Sequence, residues 1–490
     1  MIKMEQMDKI GIVYGDVSTT EVQVTVTGII DQGEYVQIFH QNSGWVLGRL
    51  DRLERKTDVS IEKALLINAG EQVSIQEVLL GFVSIIGYRD SKGVLQVPKT
   101  PFKAGEPVYK AKDSLIRDTI GLESIEGKGA YIGLLYNHTI PIYLDINALV
   151  QKHISILAKT GGGKSYLTGV IIEELIKHNV TTVVIDPHGE YTSLKYPAQQ
   201  IKIMEKFSVK PRGYPDRIIE FSPDITTNKD AKPLKFTLSQ ITPRELLSLI
   251  NFTDFRPYLV PLRKAMDYLK STKGNFNLKD LINVLEKEGD SATVSALINA
   301  LSLLNEEGIF ADVGTKIDDI VQRGKVSIIN LKGVSPDIQE MVVQRLASAL
   351  FELRKRDALP PLMFVVEEAH NFIPQQGKAL SSKIMRTIAS EGRKFGLGLC
   401  IISQRPAKVD KNILSQCNTQ IILKVTNPND LKTIGDSVEG LTRSSIDEIQ
   451  RLPVGVALVT GASLSMPLFV EVRPRETRHG GESINVAGSK

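Results

Sequence analysis

The segment His153-Ile-Ser-Ile-Leu-Ala-Lys-Thr-Gly-Gly-Gly-Lys-Ser165 constrains this chain more than any other stretch. Ile154 to Leu157 read as a short apolar strand and the glycine run as a loop. Val170, Ile171, Leu175 and Ile176 give the segment after the loop the spacing of an amphipathic helix. A strand, a glycine loop and a helix N-terminus in that order make a phosphate cradle: without Cβ atoms, successive N–H groups converge on one anion, and the helix end adds partial positive charge. In this pattern Lys164 reaches the β- and γ-phosphates of a nucleotide and the Ser165 hydroxyl meets Mg²⁺. Ala158 stands where the usual pattern has glycine, a change the loop accommodates if that position keeps a negative φ. Lys159, Thr160, Gly161, Gly162, Gly163 and Tyr166 complete the expected nucleotide-binding set.

Composition narrows the partners less than this motif does. At 490 residues the chain is long enough for about three domains. Its 42% apolar and 24% charged residues are the balance of a globular protein. A net charge of +4 announces no global affinity for nucleic acid, so any such binding must come from a local patch or an assembled surface. Cys400 and Cys417 do not make a disulfide framework, and Cys417 lacks the histidine neighbours of a metal cluster. No stretch has the order of a signal peptide and no apolar run approaches the ~18 residues of a membrane span, so a cytoplasmic protein with no membrane contact is expected.

From Ile10 onward, alternating segments such as Glu21–Thr27 and Tyr35–Phe39, with more at Gln72–Ile75, Gly81–Gly87 and Val94–Val97, predict many short strands. They suit a small N-terminal β-barrel over residues 1–105, serving assembly or a partner. Residues 106–242 lead through Ala130–Leu135 and Ile140–Leu144 to the phosphate loop, then to Val180–Ile185. That β-branched run, apolar on both faces, is the pattern of a covered central strand. It ends in Asp186-Pro-His-Gly-Glu-Tyr191, where open α/β sheets bind ligands, so Asp186 is expected near the nucleotide. Residues 243–310 switch to helical spacing in four segments punctuated near Thr253, Gly274 and Gly289-Asp290, which predicts an inserted helical bundle. The α/β pattern resumes over 311–460. The tail within 461–490, from Arg473, reads as a flexible extension or an arm docking on a neighbour.

A second acidic motif completes the chemistry. The apolar run Leu362–Val366 ends in Glu367-Glu368. Glu367 can hold Mg²⁺ through water, and Glu368 is placed to polarise the attacking water, because phosphoryl transfer needs a positioned base. Gln404, after the run Gly396–Ile402, can sense the γ-phosphate. Arg393 precedes that run; it can stabilise transition-state charge at a neighbour's site or at its own, or complement a helix C-terminus.

Ala158-Lys-Thr-Gly-Gly-Gly-Lys-Ser165, Ile185-Asp-Pro-His-Gly-Glu-Tyr191, Val366-Glu-Glu-Ala-His-Asn371 and Ile402-Ser-Gln-Arg-Pro406, in this order, resemble the archaeal HerA helicase branch of the HerA–FtsK translocase superfamily. The resemblance extends over nearly the whole chain. It implies an α/β fold: a RecA-like P-loop ATPase core with an N-terminal small β-barrel and an inserted helical bundle. It also implies ATP and Mg²⁺ as cofactors, a homo-hexamer moving along double-stranded DNA, and a NurA-type nuclease as partner in end resection and recombinational repair. Family roles fall on Lys164 and Ser165 at phosphate and Mg²⁺, Glu368 as catalytic acid, Gln404 as sensor and Arg393 as arginine finger. Lys394, Arg405, Lys408 and Lys411 are candidates for lining a channel. An ATP-gated ring scaffold for a nuclease, without sustained translocation, is the alternative. A membrane-bound translocase of the same superfamily is disfavoured by the lack of membrane spans.

Overall fold

A computed structural model describes residues 8–122, 128–250, 252, 254–287, 291–377, 379–438, 440–461 and 464–481. The predicted punctuation at Thr253 and Gly289-Asp290, and the tail beyond residue 481, lie outside the described residues. The rest forms two compact units, the first holding 8–122 with 135–141 and 464–466.

The strands of the first unit are β1 (Lys9–Tyr14), β2 (Glu21–Val26), β3 (Tyr35–His40), β4 (Gly44–Thr57), β5 (Glu77–Arg89), β6 (Leu95–Gln96) and β7 (Pro107–Lys110). They run in the order β2-β1-β7-β3-β4-β5-β6, and pairing of β2 with β5 closes the sheet on itself. Period-two alternation sets the inside: Val22, Val24 and Val26 pack with Val36, Ile38, Val46 and Leu50. Two local expectations are corrected. Gln72–Ile75 is not a strand; the connection it lies in is spent on a helix, Ile61–Asn68, capped by the Ser60 hydroxyl. β4 continues through Asp51-Arg-Leu-Glu-Arg-Lys56, whose charges stay in water and pair across the strands, as Arg55 does with Glu77 at 2.6 Å. β7 pairs with both β1 and β3, so the barrel extends past the predicted limit at residue 105.

The second unit is built on one large sheet. Its strands are β8 (Ala130–Leu135), β9 (Pro141–Leu144), β10 (Ile154–Leu157), β11 (Thr181–Asp186), β12 (Ile218–Ser222), β13 (Lys232–Pro233), β14 (Val326–Asn330), β15 (Leu362–Val366), β16 (Leu397–Ser403), β17 (Thr419–Ile422), β18 (Val456–Thr460) and β19 (Leu468–Val472). The order is β13-β12-β14-β11-β15-β16-β10-β17-β18-β19-β8-β9. From β13 to β17 every pairing is parallel, and β17–β18 and β18–β19 are antiparallel. Every residue of β10, β11, β14, β15 and β16 is buried, as a parallel sheet covered on both faces requires. Because β19 pairs with β18, the core sheet reaches beyond the predicted limit at 460.

The predicted insertion is four helices, Pro243–Ser248, Arg256–Thr272, Leu278–Lys287 and Ala292–Glu306. Thr242 and Glu245 form a capping box on the first. Leu262, Met266, Leu269, Leu281, Leu285, Leu297 and Leu301 join the same buried cluster as the sheet, which is where their helical spacing directs them.

Candidate active site

The site forms where three neighbouring parallel strands end. β10 runs into the phosphate loop, β15 into the acid pair, and β16 lies between them and runs into Gln404. In the loop, Gly161 and Gly163 adopt φ of 72° and 89°, the left-handed region that side chains disfavour. A Cβ on either would meet nothing within 4 Å, so their backbone borders open space, whereas a Cβ on Gly162 would lie 2.9 Å from the Lys159 carbonyl oxygen. Ala158 is fully buried, and its methyl takes the place of the missing first glycine. Lys164 opens the helix Lys164–Lys177 directly behind this turn.

The two acids reach across to that helix. Lys164 Nζ lies 3.3 Å from Glu367 Oε1 and makes a shorter ion pair with Glu368 Oε1. The Ser165 hydroxyl donates to Glu367 Oε1 at 3.2 Å. Among the described residues, Glu367 Oε2 is buried without a hydrogen-bond partner. Glu368 itself has φ of 48°, a left-handed conformation that costs a non-glycine residue energy. Burial pushes the Glu367 carboxyl up to about 7 against the opposing pull of the Lys164 ammonium. Thr160 Oγ1 donates to Gln404 Oε1 at 2.5 Å, which ties the loop to the end of β16. Lys159 is exposed and its backbone N–H is held by the Lys424 carbonyl at 2.9 Å.

An open, glycine-lined cradle, a lysine behind it and hard oxygen donors at Ser165 and Glu367 fit a nucleotide triphosphate with Mg²⁺. That ion characteristically takes one or two protein oxygens and completes its shell from phosphate and water. Among the described residues no cluster of three or more His, Cys, Asp or Glu side chains could hold a metal ion.

Of the remaining sequence-predicted residues, Asp186 sits beside Glu367 and Arg393 lies in the turn before β16. Asp186 is fully buried, and its carboxylate accepts the N–H groups of Gly189, Glu190 and Tyr191 at 2.8, 3.1 and 3.0 Å. It shapes its own loop, its charge helps to raise the neighbouring Glu367 carboxyl, and burial raises its own pKa to about 6. Arg393 lies exposed in the turn Gly392–Phe395, before the start of β16. Since Val366 pairs with Ile401, Glu367 stands about five residue steps, about 17 Å, along the sheet from the start of β16.

His370 joins the site without a sequence signal of its own, and Tyr166, expected in the nucleotide-binding set, makes contacts with the segment from Arg473. His370 Nδ1 lies 3.3 Å from both Glu368 Oε2 and Ser403 Oγ, and burial keeps its pKa below the usual histidine value against the pull of Glu368. Its place two residues after the acid pair was visible; its contact was not. Tyr166 accepts the Arg475 backbone N–H at 3.0 Å and meets the His479 ring edge-on at 5.4 Å. The segment from Arg473, expected as a flexible extension or an arm for a neighbour, instead packs on its own chain. Arg473 is fully buried and pairs with Glu173 at 2.8 Å and Glu174 at 2.7 Å, both on the phosphate-loop helix. Those two glutamates look like a helix's solvent face until their partners some 300 residues later are known.

Comparison with known proteins agrees with this geometry. A family model described as the helicase HerA central domain matches residues 130–350, and a HAS barrel domain model matches residues 10–91. A probable DNA double-strand break repair helicase HerA of Methanocaldococcus jannaschii is 30% identical over 452 residues, covering 84% of this chain and 88% of that protein. The DNA double-strand break repair helicase HerA of Pyrococcus furiosus is 28% identical, covering 97% and 96%. Among solved structures, VirB4 of Thermoanaerobacter pseudethanolicus shares the fold with a TM-score of 0.52 at 15% identity, over 71% of this chain and 96% of that one. The plasmid coupling protein TrwB, solved with ADP and Mg²⁺, has a TM-score of 0.50 at 15% identity, over 74% and 93%. With its barrel, its P-loop core and these relatives, the chain belongs to the HerA helicase family and is an ATP-hydrolysing helicase or translocase.

Proposed function

We propose that six copies of this chain form a cytoplasmic ring that moves along double-stranded DNA, driven by ATP and Mg²⁺, and works with a NurA-type nuclease to resect broken ends for recombinational repair. The observation that carries the motor reading is the convergence of Lys164, Ser165, Glu367 and Glu368 beside an open glycine cradle. The curated relatives named as DNA double-strand break repair helicases support the choice of substrate. A nucleotide-gated scaffold has no use for an acid at Glu368, held in a costly backbone conformation.

Each residue has its own share of the work. The loop N–H groups and Lys164 bind the β- and γ-phosphates. Ser165 and Glu367 would hold Mg²⁺, which supplies positive charge to the phosphate oxygens when bound. Glu368 takes a proton from the attacking water as its oxygen bonds to the γ-phosphorus; the bond to the bridging oxygen breaks, releasing ADP and phosphate. Gln404 orients that water, and Arg393 of an adjacent copy neutralises the developing charge.

The test is the ATPase rate with and without linear duplex DNA on a sample whose mass in solution is known. A ring-sized species strongly stimulated by DNA is expected, with Glu368→Gln binding ATP but not turning it over. DNA translocation by Glu368→Gln would overturn the role of that acid, and a monomer with full DNA-stimulated activity would overturn the ring.

A further inference from the structure

His153 immediately precedes the strand that carries the phosphate loop, yet it lies at the opposite end of that strand from the nucleotide. It is buried, with φ of 58°, a left-handed conformation uncommon outside glycine. Its backbone carbonyl accepts from Thr419 of β17 at 3.3 Å. Its ring reaches the other way. Nδ1 accepts the Leu399 N–H at 3.0 Å, and Nε2 lies 3.1 Å from the Ala389 carbonyl oxygen. Since Nδ1 accepts, the proton of the neutral ring sits on Nε2 and is donated to Ala389. Burial, the principal influence on its pKa, keeps the ring in that neutral state, and the Arg393 charge nearby acts in the same direction.

One contact falls on the open side of β16, whose Leu399 is paired with Phe364 on its other side, and the other falls on the end of a helix. Leu399 lies one step beyond the last paired residues of β10 and β16, Ile154 and Cys400, so the ring continues the ladder where the strand has turned away. Ala389 is in the last turn of the helix Ser382–Glu391, where carbonyls have no intrahelical donor. The next residues are the turn Gly392–Phe395 that carries Arg393. Gly392 fits tightly there: a Cβ on it would come within 2.7 Å of the Leu397 carbonyl oxygen and 3.7 Å of the His153 ring.

We propose that His153 is a positioning residue for Arg393: its imidazole latches the end of the Ser382–Glu391 helix to the start of the phosphate-loop strand, fixing the turn from which the arginine is presented. The inference rests on the reading of Arg393 as a finger acting on an adjacent copy. It adds that the finger's base and the phosphate loop of the same chain are fastened to opposite ends of one four-residue strand.

His153→Asn separates the two contacts. Asparagine tolerates the left-handed backbone and offers an oxygen where Nδ1 accepts, but its amide falls short of Ala389. In the full-length assembly with duplex DNA, His153→Asn should lower kcat by about 10- to 100-fold, as a misplaced catalytic group does, while ATP affinity holds. His153→Gln, which reaches Ala389 again, should recover most of the rate. Rings mixed from His153→Asn and Glu368→Gln copies should regain hydrolysis, since one supplies an intact site and the other an intact finger. An unchanged kcat in His153→Asn, equal loss in His153→Gln, joint loss of ATP affinity, or no recovery on mixing would each overturn the proposal. Arg393→Ala is the control: full activity in it removes the finger role and this inference with it, whereas loss in Arg393→Ala with none in His153→Asn removes only the latch.

Discussion

Lys164 stands between two carboxylates that share a buried space, so it matters to the fold as well as to phosphate. Its side chain is only 10% exposed and bridges Glu367 and Glu368. Replacing it with alanine should abolish measurable ATP hydrolysis, and hydrolysis at the wild-type rate would sink the site. The same variant should report on pH. Glu367 has a folded-state pKa raised to about 7, above its ordinary value, so its contribution to stability is present at low pH and lost as pH rises through that value. Without the Lys164 ammonium the folded pKa rises further. The thermal midpoint of Lys164→Ala should therefore fall further below wild type at pH 8 than at pH 6; an equal or smaller gap at pH 8 would contradict the pairing. The loop and the acid pair were legible because each is a contiguous run whose residue types have one use together. His370 was not, because its role depends on which strand ends beside it. Asp186 was placed at the right end of the right strand, but only the three N–H groups bonded to it reveal that its oxygens are already spoken for.

Among elements, the least legible was the last. A run beginning Arg473-Pro-Arg-Glu-Thr-Arg reads as solvated because charge is usually solvated. Here the guanidinium of Arg473 meets Glu173 and Glu174, donates to the Tyr131 carbonyl at 2.8 Å, and is closed over completely. Thr477 adds hydroxyl and backbone N–H bonds to Glu173, at 2.7 and 2.9 Å. The C-terminal segment is thus a strap across the phosphate-loop helix, and Tyr166, next to Ser165, is bonded to it. Removing one partner of a buried ion pair leaves the others unpaired in low dielectric, at a cost of about 3–5 kcal/mol. Arg473→Met should lose that much stability in denaturant unfolding, far more than a surface arginine. A loss below about 1 kcal/mol would mean that water or another cation reaches the glutamates. The inserted helices, in contrast, were readable from spacing alone, because an apolar stripe has only one place to go.

At the scale of the whole molecule the question is how a chain of net charge +4 holds a polyanion. A single copy spreads that excess over 490 residues and offers little to a phosphate backbone. A ring changes the arithmetic, because any basic side chain facing the channel is repeated in every subunit and the attractions sum over one duplex. Arg405 and Lys408 are exposed and their charges bear on His370, which associates part of the basic surface with the nucleotide site. Counterion release converts the idea into a measurement. The logarithm of the binding constant falls with the logarithm of salt concentration by about 0.9 per phosphate neutralised. One phosphate contact per subunit in a hexamer should therefore give a slope of about −5, and two contacts twice that. Duplex binding measured between about 50 and 200 mM salt should show at least the first value, alongside a mass that confirms the ring at both ends of the range. A slope no steeper than about −2 in an intact ring would mean that the copies do not share the duplex, and the channel would lose its physical basis.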